Sequence, residues 1–221
     1  MPKVGVVLSG CGVYDGAEIH EAVITLLALD RADAAIMCMA PDIDQMHVIN
    51  HLTGEEAAGE TRNVRVESAR IARGDTADIA EVTAADFDAL VFPGGFGAAK
   101  NLSDFAVKGT DCIVNPQVAR LVGETHKAGK PIGFICIAPA VAAKIFSDAG
   151  IKGVKLTIGT DKGTAGAINS LGQTHVDSDV HDCVVDEENK VVTTAAYMLA
   201  GGIGEAADGI EKLVAKLLEL I

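Results

Sequence analysis

The segment Pro131-Ile-Gly-Phe-Ile-Cys136-Ile-Ala-Pro139 sets a cysteine between an apolar run and a helical pattern, with only a tight turn to join them. A nucleophile at such an elbow stands at a sheet edge on a strained backbone, and small neighbours such as Gly133 and Ala138 make the turn possible. The following helix points its N-terminus near the sulfur. Its partial positive charge is expected to stabilise a thiolate and lower the thiol pKa. A buried, inert cysteine is the ordinary alternative. The other thiols have weaker claims. Cys38 and Cys183 fall within apolar runs, and Cys112 sits in a loop with no evident activator. Cys11 lies in the Gly10-Cys11-Gly12 turn after the first strand, facing the same edge as Cys136, as a second thiol or a mere turn residue.

A cysteine nucleophile needs a proton partner and a cradle for negative oxygen. Glu18 and Glu21 are three apart, hence on one helix face. Both could serve the helix dipole, but Glu21 lies a turn deeper, where burial would raise its pKa and suit it to shuttle protons. Pro93-Gly94-Gly95-Phe96-Gly97 follows another buried run. Its glycines can turn backbone N–H groups inward, which nominates Gly94 and Gly95, with the Ile137 N–H, as oxyanion and substrate contacts. His175, near a predicted strand, is the candidate imidazole base for Cys136.

Other patterns carry less. Gly10-x-Gly12-x-x-x-Gly16 differs in its last spacing from a dinucleotide-binding loop. His47 and His51 are four apart on a predicted helix over 44–51, without HExxH or a third ligand, so a solvated face is favoured over a metal.

These residues must be held by alternating elements. Strands are predicted at 4–8, 34–39, 88–92, 131–135 and 156–159. Helices are predicted at 18–31, 116–128 (Asn115 as N-cap), 138–149, 164–171 and 203–220. Residues 180–185 and 191–194 flank the acidic loop 186–190 as a hairpin. Residues 53–78 predict only irregular structure or short edge strands. Strand–helix alternation along the whole chain means βαβ units, a mostly parallel sheet, and a ligand site at the strands' carboxyl ends. The expectation is one domain over 1–221, an α/β fold with a C-terminal β-hairpin.

About half of the 221 residues are hydrophobic, aromatics are scarce and Trp is absent, which suits Val/Ile/Leu strands covered by helices. A net charge of −13 argues against nucleic acid and anionic membranes as partners. The N-terminus shows no secretory signal and no stretch is a spanning segment, so a cytoplasmic location is expected. Five cysteines at wide spacings, with no CxxC, indicate neither a disulfide framework nor a zinc site.

Together the Pro93–Leu102 glycine loop, the Phe134–Pro139 elbow and Glu21 resemble the PfpI and Parkinsonism-associated deglycase superfamily. Leu8–Gly16, Val48–Gly54 and Thr193–Met198 are similar to its bacterial ElbB branch. The resemblance implies a flavodoxin-like three-layer α/β/α sandwich of the class I glutamine amidotransferase type, a homodimer, and an elbow cysteine beside a glutamate. It implies glyoxalase activity without glutathione, metal or other cofactor: glyoxal to glycolate, and methylglyoxal to lactate. A deglycase activity and a link to isoprenoid biosynthesis also belong to what it implies. No His follows Cys136 closely, which speaks against a Cys-His-Glu triad and glutamine hydrolysis. The competing class is a non-enzymatic redox-sensing or binding protein with an oxidisable Cys136.

Overall fold

The computed structural model describes all residues, Met1–Ile221. The first half runs β1 (Lys3–Val7), α1 (Ile19–Arg31), β2 (Ala35–Ala40), β3 (Ile49–Asn50), β4 (Glu55–Glu56), α2 (Val64–Ile71), β5 (Ala77–Asp78), β6 (Ala89–Phe92), α3 (Phe96–Lys100) and α4 (Phe105–Lys108). The second half runs α5 (Pro116–Lys127), β7 (Ile132–Ile135), α6 (Ala138–Asp148), β8 (Lys155–Leu156), α7 (Lys162–Ser170), β9 (Thr174–His175), β10 (Val184–Asp186), β11 (Val191–Thr194) and α8 (Ile203–Glu219).

Seven strands form one sheet in the order β10-β11-β7-β6-β1-β2-β5. Every neighbouring pair is parallel except β10–β11, the C-terminal hairpin. The central runs, such as Ala-Leu-Val-Phe in β6 and Ile-Gly-Phe-Ile in β7, are buried at every position. Strands covered on both faces have this uninterrupted apolar character. Alternate residues serve opposite layers: Leu90, Phe92, Ile132 and Phe134 pack with α5 and α6, while Ala89, Val91 and Ile135 pack with α1 and α8. The result is a flavodoxin-like three-layer α/β/α sandwich. The chain leaves β1 toward β2 and β5, then returns to β6 on β1's other side. The carboxyl ends of β1 and β6 therefore flank the topological switch point, where open α/β sheets bind ligands.

One local expectation fails and one is met in part, since residues 53–78 hold the short strands β4 and β5, the latter at the sheet edge, besides a helix. Residues 44–51 form no helix: Ile49–Asn50 pairs antiparallel with Glu55–Glu56, and Asp44 bridges Asn63. His47 and His51 therefore do not share a helix face. Residues 53–78 do contain a helix, α2, whose N-cap Asn63 accepts the Val66 N–H. Asp15 causes the first miss, because its carboxylate accepts the Ile49 N–H at 2.7 Å and pulls this segment into extended form against the loop after β1. No helix is long and apolar enough to cross a membrane.

Candidate functional site

Cys136 follows β7 directly and has φ = 63°, a left-handed conformation that costs a non-glycine residue energy. The surroundings hold it there. Its N–H is donated to Thr194 O at 2.9 Å, tying the elbow to the end of β11. Ile137, the N-cap of α6, contributes no side-chain cap, Pro139 has no N–H, and the Ala140 N–H is donated to Ile137 O at 3.0 Å. The Gly95 and Ile137 N–H groups lie close enough to the sulfur to favour its charged form.

Glu21 is fully buried in the first turn of α1. Each carboxyl oxygen has its own donor: Gly94 N–H to Oε2 at 2.9 Å and Tyr197 N–H to Oε1 at 3.2 Å. Glu18 caps the same helix, accepting the Glu21 N–H at 2.7 Å, and its own N–H is donated to Gly94 O at 2.9 Å. The Glu21 carboxyl adjoins the Cys136 thiol across Gly94, and each shifts the other's acidity. Gly94 is glycine for lack of room, since a Cβ there would collide with the Cys136 Cβ and stand 2.6 Å from Glu21 Oε2. Gly95 needs glycine on two grounds: its φ is 94°, and a Cβ would strike Glu18 N and Gly16 O.

Electrostatics at this pair differ from the sequence expectation. Burial above all pushes the Glu21 carboxyl up to about 8, with the Glu18 charge adding and the neighbouring Cys136, Tyr197 N–H and Gly94 N–H opposing. The Cys136 thiol is also raised well above its usual value, by burial first, then by the charge and contact of Glu21. The expected low-pKa thiolate is therefore corrected. A helix terminus stabilises an anion by roughly 0.3–1 kcal/mol, whereas full burial moves an acid by up to about 3–5 units. At neutral pH the pair rests as carboxylic acid and thiol. Losing one proton leaves a single negative charge shared between oxygen and sulfur.

Above the pair opens a pocket of about 460 Å³. Its lining joins Cys136, Ile137, Gly95 and Glu18 to Val13, Phe96, Asp161, Thr164, Tyr197 and Met198. Most of this wall is apolar, its charged groups are carboxylates, and no lysine or arginine contributes.

Of the residues nominated from sequence, Cys136, Glu21, Gly94, Gly95 and Ile137 come together. Gly94 has a different task from the one expected. Its N–H is committed to Glu21, so it positions the carboxyl and is not free to hold an oxyanion. His175 is not brought to the sulfur. It lies on β9 in a separate two-stranded sheet with β8, where its buried ring accepts the Ile158 N–H through Nε2 at 3.3 Å. The glycines after β1 pack tightly against one another, with Gly16 N–H donated to Gly12 O at 2.7 Å and no room for a Cβ at Gly16 beside Cys11 N. Cys11 itself is half-buried, its thiol raised by burial and by the Glu67 charge. Sequence reasoning missed the side chains of Tyr197, Asp161 and Thr164. Tyr197 sat inside the quoted Thr193–Met198 motif, and only the long return of β11 to β7 shows that it faces Cys136.

The chain was compared with known proteins. The human "glutamine amidotransferase-like class 1 domain-containing protein 3, mitochondrial" is 52% identical over 227 residues, covering 99% of this chain and 83% of that protein. The zebrafish "ES1 protein, mitochondrial" is 33% identical, covering 97% of this chain and 87% of that protein. A crystal structure of an isoprenoid biosynthesis protein with amidotransferase-like domain from Ehrlichia chaffeensis superposes with TM-score 0.92 at 39% identity, over 100% of this chain and 99% of that one. The curated relatives overturn the cytoplasmic expectation: they are named mitochondrial proteins and point to that compartment. An N-terminus without a secretory signal never distinguished the two compartments. The pattern of the DJ-1/PfpI family matches residues 11–200, and the chain belongs to that family.

Proposed function

We infer that the protein is a cofactor-independent glyoxalase that converts glyoxal to glycolate, and methylglyoxal to lactate, at Cys136. One observation carries this reading: a thiol set against a fully buried carboxyl, beneath a largely apolar pocket. In the singly deprotonated pair, sulfur bonds to one aldehyde carbon, and the carbonyl oxygen becomes the hydroxyl of a hemithioacetal. Gly95 and Ile137 N–H groups, already close to the sulfur, face the oxygen that develops there. Glu21 takes the hydrogen from that carbon as a proton, and the electron pair forms the double bond of an enediol. Returning the proton to the neighbouring carbon gives a thioester. Water cleaves it, releasing the 2-hydroxy acid and restoring the thiol.

A deglycase readout follows from the same chemistry, since removal of free dicarbonyl draws its reversible adducts apart. The raised thiol counts against peroxide sensing, because the thiolate is the form that oxidises. Without an imidazole at the sulfur, the amidotransferase likeness in the human relative's name does not extend here to glutamine hydrolysis. A pocket with no basic side chain gives a diphosphate no counter-charge, so the isoprenoid role named for the Ehrlichia protein is not carried over as diphosphate binding. We also hold to a homodimer, supported by Ile19, Val23 and Leu27, exposed four residues apart along α1. Sedimentation at micromolar concentration checks that. Purified protein incubated with glyoxal tests the activity: glycolate is expected from the wild type and none above buffer from Cys136→Ala. Equal glycolate from both refutes the reading.

A further inference from the structure

Tyr197 is a pocket residue whose hydroxyl the reaction above leaves unused. It stands in the 3-10 turn Ala196–Met198 that follows β11. Ala196 has φ = 42°, so this turn, like the Cys136 elbow, is held in a conformation that L-residues avoid. The strain points the residue two ways. Its N–H holds Glu21 Oε1, and the residue lines the pocket with Cys136 and Glu18. The phenol oxygen lies 2.7 Å from Nδ1 of His20, an exposed residue of α1. Hence a hydroxyl stands at the pocket wall beside an imidazole that reaches water. The isomerisation needs such a group. When Glu21 removes the carbon-bound hydrogen, negative charge moves to the second carbonyl oxygen, and Gly95 and Ile137 serve only the first.

We propose that Tyr197 is a catalytic residue that donates to the second carbonyl oxygen of the Cys136-bound dicarbonyl, with His20 relaying protons between its hydroxyl and solvent. The inference rests on the glyoxalase reading. As the enediol forms, the carbon–hydrogen electron pair becomes the carbon–carbon double bond and the carbonyl π pair moves to oxygen. That oxygen takes the Tyr197 proton, and His20 refills the phenol from water. In the second half Glu21 returns its proton to carbon, and the first oxygen's hydroxyl proton leaves through the same tyrosine and histidine. One proton enters from solvent and one leaves, so no oxidant or reductant is needed.

Tyr197→Phe retains the backbone N–H to Glu21 and removes only the hydroxyl. Its glyoxal kcat is expected to fall about a hundredfold, the usual effect of losing one oxyanion donor, with KM changed less than about twofold. Melting temperature and alkylation of Cys136 by iodoacetamide should match the wild type. His20→Ala is expected to lose about tenfold in kcat, with part restored by added imidazole, a rescue that a purely structural histidine would not show. An unchanged kcat in Tyr197→Phe, or a raised KM alone, overturns the inference and leaves the glyoxalase reading standing. Failure of imidazole to restore His20→Ala overturns the relay. Wild-type protein that yields no glycolate overturns both the reading and the inference.

Discussion

At Glu21, the carboxyl's burial has a consequence for stability as well as chemistry. Its proton is held more tightly in the folded chain, up to about 8, than the ordinary 4.5 of an exposed glutamate. Stability from this source is complete below the lower value and is lost as pH rises through the upper one. Glu21→Gln removes the titration. Its amide must face either the Gly94 or the Tyr197 N–H, donor against donor, at a cost of about 1–3 kcal/mol. Calorimetry should therefore find the variant less stable near pH 5 and gaining on the wild type toward pH 8; parallel curves would contradict the burial argument. Turnover should be lost in this variant at every pH. The sequence pointed to Glu21 because three-residue spacing put it deeper than Glu18. What it could not show was that burial outweighs the α6 terminus at Cys136, a contest decided by how thoroughly neighbouring elements cover the sulfur. Nor could it reveal that His175 turns to the Ile158 N–H and away from the cysteine.

The elements meet at the loops after β1 and β6, and Asn101 fastens them. At the end of α3 its Nδ2 donates to Ser9 O and Asp15 O at 2.8 Å each, and its Oδ1 accepts the Met46 N–H at 2.9 Å. Asn101→Ala leaves two buried backbone carbonyls and one part-buried N–H unpaired. It should destabilise the protein by about 2–4 kcal/mol, read by urea unfolding; a change below about 0.5 kcal/mol would mean the loops hold one another without it. Gly94→Ala acts at the same junction by steric conflict with Cys136 and Glu21. It should cost about 1–3 kcal/mol and abolish glycolate formation while the sheet persists. The strands and the longer helices were readable because unbroken apolar runs and 3.6-residue patterns are local signals. The segment at 44–51 was misread because its conformation depends on Asp15, more than thirty positions earlier. Helix α2 was missed because the face it buries sets polar Glu67 and Ser68 beside Val64 while Val66 is exposed, so periodicity gave little contrast there.

Across the whole molecule, a net charge of −13 sets the field in which substrate arrives. Glu18 and Asp161 carry that sign into the pocket, and Asp161 stays ionised because Thr164 donates to its carboxyl. The proposed neutral dicarbonyl substrate would meet no such field, whereas an anion meets repulsion of about 1–4 kcal/mol per nearby charge. As competitive inhibitors of glyoxal turnover, glyoxylate should bind at least about tenfold more weakly than neutral glycolaldehyde at low salt. The gap should narrow as ionic strength rises, since about 0.1 M salt shortens the reach of charge to about 10 Å. Equal inhibition at low salt would show that the field does not select. The α/β class and the C-terminal hairpin followed from the order of elements in the sequence. The compartment did not, because address is not written in the packing of a fold.

The account depends on Cys136 and Glu21 acting as one acid that must lose a single proton before sulfur can attack. The pH dependence of kcat/KM for glyoxal, with the Cys136→Ala rate subtracted, reports that ionisation in the free enzyme. It should climb about tenfold per pH unit at neutral pH and level off above about 8. A profile already flat between about pH 6 and 9 would mean the thiol is ionised independently of Glu21, contrary to the shared-proton site described above.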